Sequence, residues 1–362
     1  MKRGFFPLDR RLRLRRDSWS EGVVRGVAWL GTTQPSFEVA AETLSRLTGL
    51  WMSDTTLWRC HGEVAEQIES ELRREEQDIQ TPVYAGEEPK ASEPIAGHAS
   101  VSLDGTTIRI REEGYREVKI VSVSEVVVQP ERTVAASGGP PVGRIADREA
   151  VRGRQDGVKL VGHSYRAVLG DKTAFEAALA AELARRGIAA TDKVTTVNDG
   201  ADWIWDLVER YLPDKRTEIL DWPHAIQNLC KAGEAAWGVE SQTARVWLTA
   251  RETELWQGRV MDVRTALEQL PQRRKERGKA IRRVKDYIAG HQTRLDYQRF
   301  RDEGRPIGSG TVESAAKNVI AWRMKRGGQS WERSGATRML AALGEVHSSH
   351  WDQTCRRLAK AA

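Results

Sequence analysis

The chain has 362 residues, of which 40% are hydrophobic and 30% charged, so it is long enough for two or three domains with a sizeable core. It has no run of about 18 apolar residues, which excludes an ordinary membrane span, and its start has no apolar stretch of signal-peptide length; we therefore expect a cytoplasmic protein. The formal net charge is +6, and basic residues cluster at 10–16, 273–283 and 323–326. Such clusters suit phosphate backbones, although solvated helix faces show them too.

The first 80 residues predict a helical domain. Apolar residues at helical spacing end at Gly49, a natural C-cap, and Ser53 is a suitable N-cap for a second helix. Two helices joined by a short turn form a helix-turn-helix candidate, although helical hairpins without DNA contact are common. The second helix would present these residues to DNA: Asp54, Thr55, Trp58 and Arg59. Residues 81–97 then predict a linker, because their first part is rich in Pro and Glu.

Alternating apolar residues from 98 to 224 predict an α/β domain. A first strand through Val101 and Leu103 is expected to end at Asp104, with Ile108 and Ile110 following. Four more strands are expected at 118–128, 165–169, 193–198 and 218–220, with a loop at 129–157. Helices are expected before Gly187 and before Pro213. The order strand, strand, strand, helix, strand, helix, strand is typical of a ribonuclease-H-like core with a mixed sheet.

The remaining residues predict helices. Residues 225–300 have helical spacing and many charges, and we interpret them as an all-helical insertion into the core. Residues 301–362 would then supply the final helices of the core. The three cysteines are far apart, which favours buried thiols over a zinc site or a disulfide framework.

Three acids are expected at positions that suit metal-dependent chemistry. Asp104 and Asp199 follow predicted strands, and Glu313 lies in the first turn of a helix that opens from Gly308-Ser309-Gly310. Because adjacent parallel strands end close together, the two aspartates should be neighbours, and Glu313 would reach them from its helix. Two Mg²⁺ ions about 3.5–4 Å apart could then catalyse phosphodiester cleavage, with Asp104 bridging them. Each acid alone also has a simpler interpretation, as a turn residue or a helix N-terminal charge.

Four motifs in this order resemble those of DDE transposases, most of all the ISKra group of bacterial insertion sequences: 102–106, 198–201, 221–224 and 306–314. The resemblance extends from Phe6 to about Trp331, and it is most specific at 296–326. It implies that Asp104, Asp199 and Glu313 bind two Mg²⁺ ions, with Mn²⁺ as a possible substitute. It also implies that Asp221 and His224 support the site without ligating metal.

The same resemblance implies double-stranded DNA as the partner, both the element's inverted repeats and the target, in a homodimer or larger assembly at the bacterial nucleoid, away from membranes. Related chains carry an additional N-terminal region, so a shortened copy is expected. Six basic residues are expected to contact DNA: Arg59, Arg305, Lys317, Arg323, Lys325 and Arg326. Trp322 and Trp331 could stack on an unpaired base, although core packing is the preferred interpretation.

Three alternatives to an active transposase stay open from the sequence. An inactive or domesticated relative would bind DNA through residues 36–72 without cutting it. A ribonuclease-H-like nuclease would cut without joining. A helical scaffold protein is the weakest alternative, because it leaves the glycine-bounded acids unexplained.

Overall fold

The computed structural model describes residue 14 and residues 19–80, 91–129, 157–271 and 275–361. Parts of several predictions lie outside these residues. They are the segment at 6–9, the arginines of 10–16, residues 81–90 of the linker, residues 130–156 of the loop, and Arg273 and Arg274.

A five-stranded mixed sheet forms the centre of the chain. Its strands stand in the order β3-β2-β1-β4-β5, with β1–β2 and β2–β3 antiparallel and β1–β4 and β4–β5 parallel. The bounds are His98–Ile110 (β1), Gly114–Val128 (β2), Val158–Leu169 (β3), Lys193–Asn198 (β4) and Thr217–Leu220 (β5). The sheet confirms the predicted order of elements and is compatible with a ribonuclease-H-like core.

The first strand differs from its prediction. It continues through Asp104 to Ile110, so Asp104 lies inside β1 rather than at its end. The reason is the antiparallel hairpin, in which β1 stays paired with β2 as far as Ile110 and Gly114. The parallel partner β4, in contrast, pairs only with the first four residues of β1, His98 to Val101.

Helices cover both faces of the sheet, because alternate residues of β1 point to opposite sides. On one face Val101 and Leu103 pack against α4 (Lys172–Arg185) and α5 (Asp202–Tyr211). These helices end before Gly187 and Pro213, as predicted. On the other face Ile108 and Ile110 pack against helices near the C-terminus.

The N-terminal helices are α1 (Glu21–Thr33), α2 (Phe37–Thr48) and α3 (Asp54–Gln80). The predicted caps of α2 and α3 are confirmed: Gly49 adopts φ 72°, and the Ser53 hydroxyl accepts a hydrogen bond from the Thr56 N–H at 3.2 Å. Helix α1 was not predicted.

The insertion is helical in its described residues, as predicted. It consists of α6 (Trp222–Trp237), α7 (Gln242–Trp256), α8 (Val260–Glu268), α9 (Lys275–Gly290) and α10 (Tyr297–Asp302). Buried residues such as Leu229, Ile281 and Phe300 belong to the same core as Ile219 and Leu220 of β5. The insertion therefore packs directly on the sheet.

The C-terminal part begins with α11, a helix over 310–324 whose middle, Ala315–Ala321, is a π-helical segment. It continues with α12 (Arg333–His347) and α13 (Trp351–Ala361). Leu57 and Ile68 of α3 share a core with Ala342 of α12 and Trp351 of α13. The N-terminal and C-terminal helices thus form one packed unit.

Arg323 joins α11 to α1. Its Nε donates a hydrogen bond to the Gly31 carbonyl at 3.0 Å, and its guanidinium lies over the rings of Phe37 and Trp331. The Gly31 carbonyl needs this donor, because the residue four positions later is Pro35, which has no N–H. Arg323 is 1% exposed, so the expected DNA contact at this residue is not supported.

Within the described residues, no helix has both the length and the hydropathy of a membrane span.

Candidate metal centre

Asp104 and Asp199 lie just beyond the paired segment of two parallel strands. The parallel pairing of β1 with β4 runs as far as Val101 opposite Thr196. Two residues further along each strand, the Leu103 N–H donates a hydrogen bond to the Asn198 side-chain oxygen at 2.7 Å. Asp104 and Asp199 are the next residues, and the Asp199 charge is near enough to raise the pKa of Asp104. Only Asp199 follows the end of a strand, because Asp104 lies inside β1.

Glu313 is brought to the aspartates by the loop before α11. The Ile307 carbonyl accepts a hydrogen bond from the Trp222 N–H at 3.0 Å, which fixes the loop to the start of α6. Ser309 donates from its N–H and its hydroxyl to Asp221, at 2.7 and 3.0 Å. The same hydroxyl lies 3.2 Å from Glu313 Oε1. Glu313 thus stands in the first turn of α11, facing the start of α6.

Asp199 and Glu313 both lie near enough to Asp104 for their charges to act on it. Burial, together with the charges of Asp199 and Glu313, raises the pKa of Asp104 to about 6, although a hydrogen bond from the Gly105 N–H at 2.7 Å acts in the opposite direction. Each of the three carboxylates is partly buried. Three like charges in a partly buried site are costly without a counter-ion. Carboxylate oxygens are the ligands that Mg²⁺ prefers, so the donor set fits this cation.

Asp221 has a different role from the three acids. It is completely buried, and its Oδ1 is occupied by the two donors of Ser309. Its Oδ2 accepts from the backbone N–H of His224 at 3.0 Å and lies 2.6 Å from His224 Nδ1. These contacts use both carboxylate oxygens, so we interpret Asp221 as a supporting residue rather than a metal ligand.

His224 connects Asp221 to the acids. Its hydrogen bond with Asp221 raises its pKa, and the charges of Asp221, Glu313 and Asp199 act in the same direction against the effect of burial. Ligand atoms of Asp221, His224 and Glu313 lie within 4.8 Å of one another, a spacing that could also hold a metal ion. Because His224 Nδ1 bonds Asp221, we interpret this trio as a hydrogen-bonded support rather than a ligand set.

The other expected basic residues divide into two groups. Lys325 is exposed and donates to the Thr106 hydroxyl, and the Asp104 carboxylate lies near enough to oppose the lowering of the Lys325 pKa by burial. Lys317 and Arg326 are also exposed on or just after α11, and Arg59 is exposed on α3. Arg305, in contrast, contacts Thr195 at 2.8 Å and Glu303 at 2.5 Å. Thr195 lies in the first half of β4, away from Asp199.

The two tryptophans also differ. Trp331 is 9% exposed and donates to the Met324 carbonyl at 3.1 Å, which confirms core packing. Trp322 is 55% exposed, with the Arg326 guanidinium over its ring.

Sequence reasoning missed three residues that shape the site. Asn198 links the two parallel strands, Ser309 links Asp221 to Glu313, and Tyr287 contacts the turn after Asp199. A serine just before a predicted helix is a usable signal for Ser309. Tyr287 gives no signal, because its contact joins residues far apart in the chain.

No protein-family model matches this chain, and no curated protein matches it at a significant level.

Proposed function

We propose that the chain is a Mg²⁺-dependent enzyme that cuts and joins DNA, and more specifically a DDE transposase similar to those of the ISKra group. The observation that carries the proposal is that Asp199 and Glu313 lie near enough to Asp104 for their charges to raise its pKa. Asp104 lies in the central strand β1, Asp199 follows the end of its parallel neighbour β4, and Glu313 lies in α11. The sheet is compatible with the ribonuclease-H-like fold.

Asp104, Asp199 and Glu313 would hold the cations. When bound, Mg²⁺ activates the attacking oxygen and stabilises the leaving oxygen of a phosphodiester. Asp104 has the central position, because it interacts with both other acids and with His224.

Asp221 and His224 would keep the acids in place. Asp221 holds both the loop that carries Ser309 and the start of α6, and Ser309 in turn contacts Glu313. Hydrogen-bonded partners of this kind orient metal ligands and are worth about 10–100-fold in affinity or activity.

Exposed residues near the acids and on α3 suit double-stranded DNA. Lys325 beside Asp104 could contact the phosphate next to the cut. Thr55, Trp58 and Arg59 are exposed on the first turns of α3, where a recognition helix reads bases. Inverted repeats and target DNA would be bound by an assembly of two or more chains, because joining needs paired ends.

The test is cleavage of labelled DNA from both flanks of the reading frame. We expect the wild type with Mg²⁺ to cut this DNA and to join the 3′ ends to a target. Asp104→Asn, Asp199→Asn and Glu313→Gln should each lose more than about 100-fold of this activity, above the usual effect of outer partners. DNA binding in a gel-shift assay should be kept.

Asp214→Asn is the matched control, because Asp214 is fully exposed in the loop between α5 and β5. Cleavage without joined products would show a nuclease rather than a transposase. DNA binding without any cleavage by the wild type would show a silent relative. Cleavage that survives all three substitutions would refute the proposed site.

A further inference from the structure

Gly200, directly after Asp199, is in tight contact with the helical insertion. A Cβ placed on Gly200 would lie 2.0 Å from Cε2 of Tyr287 and 2.7 Å from its Cζ. Real Cβ atoms do not approach other atoms so closely, so only glycine fits here with Tyr287 in place. The ring of a helix α9 residue therefore rests on the backbone of the turn that carries Asp199.

The Tyr287 hydroxyl lies against the same turn, since the Cβ placed on Gly200 would be 2.8 Å from it. The Gly200 backbone and the Asn228 side chain are its polar neighbours. Asn228 also donates to the His224 carbonyl at 2.9 Å. Burial raises the pKa of Tyr287, and the carboxylates of Asp199 and Asp221 raise it further, as expected for a hydroxyl close to both acids.

His291 completes the contact from the end of α9. Its ring packs edge-on against that of Tyr287, with centroids 4.9 Å apart, and the Gly200 backbone is one of its polar neighbours. The helical insertion thus meets the turn at Gly200 through these two residues. Asp199 itself accepts a hydrogen bond from the Ala201 N–H at 3.0 Å, so the turn around Gly200 also sets the direction of the Asp199 carboxylate.

We propose that Tyr287 is a positioning residue, through which the helical insertion fixes Asp199 and the His224 turn for cation binding. This inference rests on the proposed metal centre. It assigns the insertion a role at the site beyond covering the sheet: without the Tyr287 hydroxyl, Asp199 keeps its place in the chain but not its orientation.

The test is Mn²⁺ binding by the full chain without DNA, followed by electron paramagnetic resonance of the unbound ion. Tyr287→Phe removes only the hydroxyl, and it should weaken Mn²⁺ binding by about 10-fold, at the lower end of the effect of outer partners. Cleavage should need correspondingly more Mg²⁺ and recover at saturation. The melting temperature should stay close to that of Tyr211→Phe, the matched control, which removes a hydroxyl bonded to Glu176 at 3.0 Å on another surface.

A mutant cycle tests the packing contact itself. Gly200→Ala should weaken Mn²⁺ binding strongly in the wild-type background, but add little in a Tyr287→Ala background, where the new methyl group has room. Additive effects of the two substitutions would overturn the proposal, as would Mn²⁺ binding by Tyr287→Phe equal to that of wild type or of Tyr211→Phe.

Asp104→Asn separates this inference from the proposed function. Loss of Mn²⁺ binding in Asp104→Asn, with wild-type binding in Tyr287→Phe, refutes only the role of Tyr287. Unchanged Mn²⁺ binding in Asp104→Asn refutes the metal centre as well.

Discussion

Asp104 carries an electrostatic cost that a bound cation would offset. Its pKa in the folded chain is about 6, against 3.8 for an ordinary aspartate, because burial and two neighbouring carboxylates disfavour its charge. Between these two pH values the folded state binds more protons than the unfolded state. The Asp104 carboxyl therefore stabilises the fold below about pH 4, and this contribution is lost as the pH rises through about 6.

Asp104→Asn should therefore stabilise the metal-free chain at neutral pH. In the presence of a chelator we expect its melting temperature to exceed that of the wild type, by up to about 2–4 °C for each kcal/mol gained. The difference should shrink near pH 4, where Asp104 is protonated, and also on addition of Mg²⁺, which only the wild type binds well. Calorimetry of both proteins, with Asp214→Asn as control, checks this. A less stable Asp104→Asn in chelator would contradict it.

Asp221 gives a prediction of a different kind, because it acts through its hydrogen bonds. In Asp221→Asn one acceptor oxygen becomes a donor that faces either Ser309 or His224. We expect a loss of about 10–100-fold in Mg²⁺ affinity or cleavage rate, measured as the Mg²⁺ dependence of cleavage. Wild-type Mg²⁺ dependence in Asp221→Asn would show that the support is dispensable.

The residues of the site were only partly predictable. Asp104 and Asp199 each precede a glycine at the end of an expected strand, and Glu313 lies in the first turn of an expected helix, which made the three acids recognisable. Asn198 and Tyr287 act through contacts with residues far away in sequence, and such contacts follow from strand register and helix packing rather than from any local pattern.

At the scale of elements, α11 carries both an acid of the proposed metal centre and an arginine that binds it to α1. Its first turn carries Glu313, and its last turn carries Arg323, which is held by α1. Arg326 follows three residues later and is exposed. Both arginines were predicted to contact DNA, because a cluster of basic residues in a sequence does not show which side chains are buried.

A matched pair of substitutions separates these arginines. Arg323→Met should lower the free energy of unfolding by about 1–3 kcal/mol, because the Gly31 carbonyl loses its donor. Arg326→Met should leave stability within about 0.5 kcal/mol, but weaken DNA binding and reduce its salt dependence by the contribution of about one phosphate contact. Denaturant unfolding and DNA titrations at several salt concentrations measure both effects. Equal stability losses in the two variants would contradict this assignment.

The ends of helices were predicted correctly where capping residues define them. Gly49 and Ser53 defined the ends of α2 and α3 through their caps, and Gly187 marked the end of α4. The length of β1 was wrong because the polar residues 104–107 interrupt its apolar pattern, while pairing with β2 keeps it extended. The π-helical segment of α11 was not predicted from the sequence.

At the scale of the whole molecule, two shared cores join regions that lie far apart in the sequence. The helical insertion shares its core with the sheet, and the N-terminal helices share theirs with α12 and α13. Composition separated these regions along the sequence, but it could not show that they pack together. The metal centre depends on this packing, because Asp199 is held by α9 and Glu313 by the start of α6.

The most direct test of the proposed centre is a crystal structure of the chain with Mn²⁺, with the ions located by their anomalous scattering. Manganese bound to Asp104, with Asp199 and Glu313 as its further protein ligands, is the predicted result. Manganese bound instead to Asp221 and His224, or a structure in which the three acids stand apart and bind none, would contradict the proposed centre.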